Sequence, residues 1–316
     1  MKRILITGGS GFIGTNLIND LINNEFEILN IDINPPKIKS HYIYWTEANI
    51  NNYELLLSAV NDFQPTYAIH LAARTDLDGK SLKDYETNIL GVENLIKVLN
   101  KTSSLKRVVF TSSMLVCKPG YIPKFNTDYK PSTIYGESKV LTEKIIQDSS
   151  HNYEWAITRP TSIWGIGFGV PYRNFFDMVI AKRYYHIGNR SSTKTYGYIC
   201  NTIYQINQVL ISPFEKIDKQ IFYLGDYKPY NIEEWANEIA FELGVTIKKV
   251  PFNFIKLSAL IGDVLKYLNI NFPMSSFRLK NMTTNNVVEL KNTQEIAPNL
   301  PSSRIDGIKK TLNWLK

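Results

Sequence analysis

The run RILITGGSGFIGTNL at residues 3–17 constrains this chain more than any other. Residues 3–7 are a short apolar strand, and helical apolar spacing begins at Phe12 and Ile13 and continues through Leu17, Leu21 and Ile22. Gly8, Gly11 and Gly14 lie between strand and helix. Glycine permits a tight turn and lets a pyrophosphate approach the backbone. The helix N-terminus behind it offers free N–H donors and positive potential. A second strand, FEILNID at 26–32, ends on Asp32, which lies 18 residues past Gly14. A carboxylate at that distance can accept hydrogen bonds from an adenosine ribose. Ile33 and Asn34 follow, and no basic side chain comes before Lys37 to meet a 2′-phosphate. The residues therefore favour NAD over NADP.

Further elements alternate along the first half. Strands are expected at 41–45, 67–72, 107–113 and 155–160, and helices at 52–60, 83–101 and 132–149. Ser132, after Pro131, reads as the start of the last helix. Such alternation argues for an α/β fold with a doubly wound parallel sheet covered by helices on both faces. After about residue 165 the rhythm breaks, and WGIGFGVPY reads as a lid or linker. Beyond it, YLGD at 223–226 is one more strand. NIEEWANEIAFELG reads as a helix capped by Asn231 and stopped by Gly244, and the last residues as a short amphipathic helix. The expected division is a dinucleotide-binding domain over 1–165 and a smaller α/β substrate domain over 166–316. Some later segments are expected to return to the first sheet.

The totals narrow the class. Hydrophobic residues make up 44% of 316, which supports a buried core. No apolar run approaches a membrane span, and the N-terminus turns glycine-rich too early for a signal peptide. A cytoplasmic protein without a membrane partner is expected. Two cysteines and four scattered histidines offer no disulfide framework and no metal-ligand spacing, so no metal is expected. The net charge of +7 is dispersed and accompanies no nucleic-acid motif. It suits either a basic cleft for a small anion or simply a solvated surface.

One more stretch carries chemistry. In PSTIYGESK, Tyr135 and Lys139 lie four apart, on one face of the expected helix. A nearby ammonium favours a phenolate, so the pair has the types and spacing of a tuned acid/base.

TGGSGFIG, Asp32, HLAA at 70–73, Asn88, TSS at 111–113, YGESK and Arg159-Pro160 together resemble the extended short-chain dehydrogenase/reductase superfamily, in its NAD-dependent epimerase/dehydratase branch. The resemblance implies a Rossmann-type sheet and a catalytic set of Ser113, Tyr135 and Lys139. In that set Tyr135 is the acid/base and Ser113 holds the reacting oxygen. Lys139 holds the nicotinamide ribose and lowers the tyrosine pKa. It also implies cofactor contacts at Gly8, Gly11, Phe12, Ile13, Gly14, Asp32, Asn49, Ile50, Leu71, Ala72, Ala73, Asn88, Thr111, Tyr135, Lys139 and Pro160. Substrate contacts are implied at Ser113, Tyr135, Ser162, Lys194 and Arg278.

Departures from the family pattern bear on the reaction. Met114 and Leu115 follow Ser113 where 4,6-dehydratases have Asp-Glu, and neither transfers a proton. Asn49, Ser162, Lys194 and Asn201 replace the usual aspartate, asparagine, arginine and aspartate. Lysine grips a diphosphate as a point charge, without the arginine fork. The resemblance implies an NAD-dependent oxidoreductase or epimerase on a sugar hydroxyl or keto group, with a nucleotide-sugar 4-epimerase leading. A keto-sugar or small-carbonyl reductase and a non-catalytic dinucleotide-binding regulator are the alternatives. It also implies a homodimer paired through the helices at 83–101 and 132–149.

Overall fold

A computed structural model describes residues 2–24, 26–268, 270, 272 and 274–316. Its main sheet is built from β1 (Lys2–Thr7), β2 (Phe26–Asp32), β3 (Trp45–Glu47), β4 (Tyr67–His70), β5 (Arg107–Thr111), β6 (Glu154–Pro160) and the strand Gln220–Leu224. The spatial order is 220–224, β6, β5, β4, β1, β2, β3, and every pairing is parallel. The chain runs outward one way from β1 through β2 to β3, then returns to β4 on the other side of β1. Ligands of open parallel sheets bind where the order reverses, at the carboxyl ends of the strands. That point lies between β1 and β4.

Alternation along each strand feeds two separate cores. Ile4, Ile6, Ile69, Val109, Ala156 and Phe222 face one cluster, while Leu5, Ala68, Val108, Phe110, Trp155 and Ile221 face the other. Successive strand residues point to opposite faces, so a sheet covered on both sides needs apolar residues at nearly every position. The first cluster takes in Leu17, Ile18 and Leu21 of α1 (Phe12–Ile22), and continues through Trp164, Phe176, Tyr198 and Trp235 to Ile308 and Leu312. The second takes in Leu56 and Val60 of α2 (Tyr53–Phe63), Val92, Leu95 and Leu99 of α3 (Glu86–Leu99), and Ile146 of α4 (Ile134–Asp148).

Several boundaries differ from expectation. The stretch at 41–45 is mostly a 3-10 turn, Lys39–Tyr44, and the strand begins only at Trp45. Its β-branched and aromatic residues suit a strand, but Tyr42 and Ile43 are exposed and His41 alone is buried, held by Asn19. The helix cap near 132 is Thr133, whose hydroxyl accepts from Gly136 N–H at 3.0 Å. The helix beginning at Ile232 is capped by Asn231, as expected, with Gly244 just past its end at φ +65°. The expected loop at 164–172 includes turns at Gly165 and Gly167, after which the helix Tyr172–Ile180 begins.

Candidate active site

Gly8 takes φ +78°, and a Cβ there would lie 2.5 Å from the Ala72 nitrogen. Only glycine lets the end of β1 close on the chain leaving β4 at the switch point. Leu71 N–H donates to Thr7 O at 2.9 Å across the same gap, so Leu71 and Ala72 lie against the glycine turn, with Ala73 next in the chain. Gly11 precedes α1, Phe12, Ile13 and Gly14 form its first turn, and no side chain caps that N-terminus. Its N–H donors are thus available to an anion. Asn30 braces the turn by accepting from Gly9 N–H at 2.9 Å. Asp32 accepts from Ser10 N–H at 3.1 Å and Asn34 N–H at 2.9 Å, which fixes its carboxylate at the end of β2. A bare backbone cradle with an acid beside it fits a dinucleotide.

Asn49 and Ile50 divide. Asn49 is exposed, while Ile50 is buried and packs where a Cβ on Gly91 of α3 would lie 2.4 Å away. Asn88 is buried and binds both backbone groups of Arg74, at 2.8 and 3.0 Å, and Ser138 of α4 at 3.0 Å. It ties the chain after β4 to the helix that carries Tyr135.

Ser113 leaves the end of β5 and caps a short turn, Met114–Val116, accepting from Leu115 N–H at 3.1 Å. The N-terminus of α4 lands on this turn. A Cβ on Gly136 would lie 2.4 Å from the Leu115 carbonyl oxygen, so the close approach requires glycine. Ser113 lies close enough to the Tyr135 phenol to favour its ionised form. One turn on, Lys139 is buried and donates from Nζ to Thr111 O at 2.9 Å. Burial pushes the Tyr135 phenol up to about 12, against the pull of Ser113. Lys139 Nζ is held on the carbonyl that ends β5, one helical turn from Tyr135. Burial also lowers the Lys139 ammonium to about 8, opposed by Glu143. His70, bonded to Thr7 at 2.7 Å, is held down to about 3 by burial and by the Lys139 charge.

Glu143 and Arg159 form a fully buried ion pair at 2.6 Å, which anchors α4 to β6. Pro160, at the end of β6, is buried and pairs with Leu224.

Ser162 donates to the Tyr172 hydroxyl at 3.0 Å, and Tyr172 acts electrostatically on Tyr135. Tyr172 also lines a cavity of about 280 Å³, walled by Phe175, Tyr184, Tyr196 and Trp235, with Lys194 and Arg190 as its cations. Lys194 donates from Nζ to Asn281 O at 2.7 Å. Arg278 is exposed on the same helix as Asn281, Ser276–Thr283, and does not line the cavity. Sequence reasoning missed Tyr172 and Tyr85, whose ring stands 6.0 Å from that of Tyr135. Neither belongs to a local motif, and both reach Tyr135 only through the fold.

The arrangement can move a proton between a substrate hydroxyl and a buried phenol–serine pair, next to a cradle for a dinucleotide. A 3-beta-hydroxysteroid dehydrogenase of Mycolicibacterium neoaurum is 26% identical, covering 79% of this chain and 72% of its own. N-acetyl-alpha-D-glucosaminyl-diphospho-ditrans,octacis-undecaprenol 4-epimerase of Escherichia coli O157:H7 is 23% identical, over 99% of this chain and 95% of its own. UDP-glucose 4-epimerase of Thermotoga maritima, solved with UDP-glucose, shares the fold at TM-score 0.76 and 18% identity, over 99% and 98% of the two chains. The family profile matches residues 4–201, so this chain belongs to the NAD-dependent epimerase/dehydratase family, an enzyme whose cofactor is NAD.

Proposed function

We propose that the chain is a 4-epimerase of a sugar diphosphate, with a nucleotide sugar as the leading substrate. The observation that carries this is Tyr135 set beside Ser113, with only Met114 and Leu115 following that serine. Dehydration would need a second proton-transfer group there, whereas epimerisation needs none.

Tyr135, as the phenolate that the Lys139 ammonium and a bound nicotinamide cation would favour over the buried neutral phenol, takes the proton from the C4 hydroxyl and returns it, and Ser113 holds that oxygen throughout. NAD, when bound, supplies a reversible hydride acceptor. The N–H groups around Gly11 to Gly14 hold its pyrophosphate, Asp32 its adenosine ribose and Lys139 its nicotinamide ribose. Asn88 positions α4. Lys194 holds the substrate diphosphate as a point charge inside the cavity, and Arg278 is the second contact proposed for it. Residues 1–165 thus carry cofactor and chemistry, and residues 166–316 mainly the substrate site.

The apolar walls of the cavity favour one other reading, a one-way dehydrogenase or reductase of a less polar substrate. Incubation with UDP-glucose and UDP-N-acetylglucosamine, without added cofactor, separates the two. A 4-epimerase yields the C4 epimer by NMR, and Tyr135→Phe lowers the rate by about 10²–10³-fold with the fold intact. Turnover near wild type in that variant removes the assignment. We also read the working unit as a cytoplasmic homodimer paired through α3 and α4, where Ile89, Leu90, Leu141 and Ile145 are only half-buried. A monomer in sedimentation velocity removes that reading.

A further inference from the structure

The helix Phe252–Tyr267 is apolar on its outward face. Phe254, Leu257, Leu260, Ile261, Val264 and Leu268 form a stripe at helical spacing, each between 47% and 66% exposed. The inward contacts are narrow: Ile255 and Ala259 pack on Ile187 and Leu279. A contiguous patch of this kind is an interaction surface rather than ordinary scatter. Phe277, 74% exposed, adds to the apolar surface of the same helix pair.

Charge singles out the occupant. Residues 248–280 hold six lysines and arginines, Lys248, Lys249, Lys256, Lys266, Arg278 and Lys280, against one acid, Asp263. Asp263 is turned to Ser276 N–H at 3.0 Å, and Lys249 is paired with Glu233 at 2.9 Å. Lys248, Lys256 and Lys280 are exposed. The three-four spacing would also suit a second copy of the chain. A two-fold contact, however, would set this basic surface against itself. An apolar stripe with exposed Lys256 on its own helix, and exposed Lys248 and Lys280 on the neighbouring strand and helix, matches a bilayer with anionic headgroups, where lysine stems lie along the acyl boundary and their ammonium groups meet phosphate. The helix is too short and too interrupted to span; no described helix is long and apolar enough to cross a membrane.

This surface is joined to the cavity. The strand Lys248–Val250 pairs with Tyr185–Ile187, and His186 and Ile187 line the cavity. Arg190, also on its wall, stacks over the Phe252 ring at 3.9 Å. Ser192 and Lys194 are bonded to the carbonyls of Met282 and Asn281 on the packed second helix.

We propose that the helix Phe252–Tyr267 is an interfacial anchor. It lays its apolar stripe into an anionic phospholipid surface and holds the cavity beside that surface, within reach of a sugar diphosphate carried on a lipid. The lipid-linked substrate rests on the reading of the cavity given under Proposed function; the anchoring does not. One relative matched over 99% of the chain, at 23% identity, has diphospho-undecaprenol in its name as printed: N-acetyl-alpha-D-glucosaminyl-diphospho-ditrans,octacis-undecaprenol 4-epimerase.

The test is co-sedimentation with vesicles of phosphatidylcholine, with and without phosphatidylglycerol. The wild-type chain should partition onto the phosphatidylglycerol vesicles and be released by salt. Leu257→Glu/Val264→Glu should weaken partitioning about tenfold or more, with unchanged thermal unfolding because both positions are exposed. Tyr135→Phe should bind vesicles as wild type does, so lost turnover and lost anchoring are read separately. A wild-type chain that stays in the supernatant overturns the proposal. So does a double variant that binds undiminished, or a dimer that the double variant converts to monomer without affecting vesicle binding.

Discussion

Lys139 shows what burial does to a charged group placed for function. Its ammonium is almost fully enclosed, and its pKa falls from 10.5 to about 8. Between those values the unfolded chain binds more protons than the folded one, so stability rises with pH across that window. Below pH 8 the cost of the buried charge is present in full. Lys139→Met should therefore stabilise the cofactor-free chain at pH 7 by about 1–2 kcal/mol, after the lost bond to Thr111 O is counted. The gain should shrink toward pH 10.5, and turnover should be lost. Urea unfolding at pH 7 and pH 10 measures it; equal effects at both values would contradict the account. The Tyr135–Lys139 spacing was legible because it is local: four residues on a helix define a face. The burial that sets both pKa values was not legible, because it comes from packing between elements distant in sequence.

At the scale of elements, the site is a meeting of two ends: the turn after β5 and the first turn of α4. Gly136 sets their distance, because any Cβ there would press on the Leu115 carbonyl oxygen. Gly136→Ala should move Tyr135 away from Ser113 and lower kcat by about 10²-fold, since a 1 Å misplacement costs that much. Its thermal unfolding should fall less than that of a core variant. An alanine variant with wild-type kcat would show that the contact does not position the tyrosine. Behind the site, the Glu143–Arg159 pair holds α4 to β6. Glu143→Ala leaves a buried guanidinium unpaired and should cost about 3–5 kcal/mol, whereas Glu143→Leu/Arg159→Met should be close to neutral. Chemical denaturation of both variants checks this; equal losses would mean that the charges themselves, not their pairing, matter. The elements of the first half were visible in the sequence because each carries strong periodicity. Residues 41–45 misled because strand-forming side chains there face solvent around one buried histidine.

Across the whole molecule, the parallel sheet covered by helices was readable from alternation, whereas the crossover and its switch point emerge only from the strand order. The second half was not readable in the same way. Its strands are two or three residues long apart from Gln220–Leu224, too short for a period to register. The aromatic core around Trp164, Phe176, Tyr198 and Trp235 assembles from segments scattered over 70 residues and merges with the core under β1. The cavity and the exposed helix next to it arise from that assembly. An epimerase keeps its cofactor and recycles it, and this property belongs to the whole chain. The chain should be purified without added cofactor, denatured, and the released nucleotide identified by chromatography and mass. NAD in stoichiometric amount is the expected result. An empty chain that binds NADPH more tightly than NADH would contradict both the reading of Asp32 and the epimerase itself.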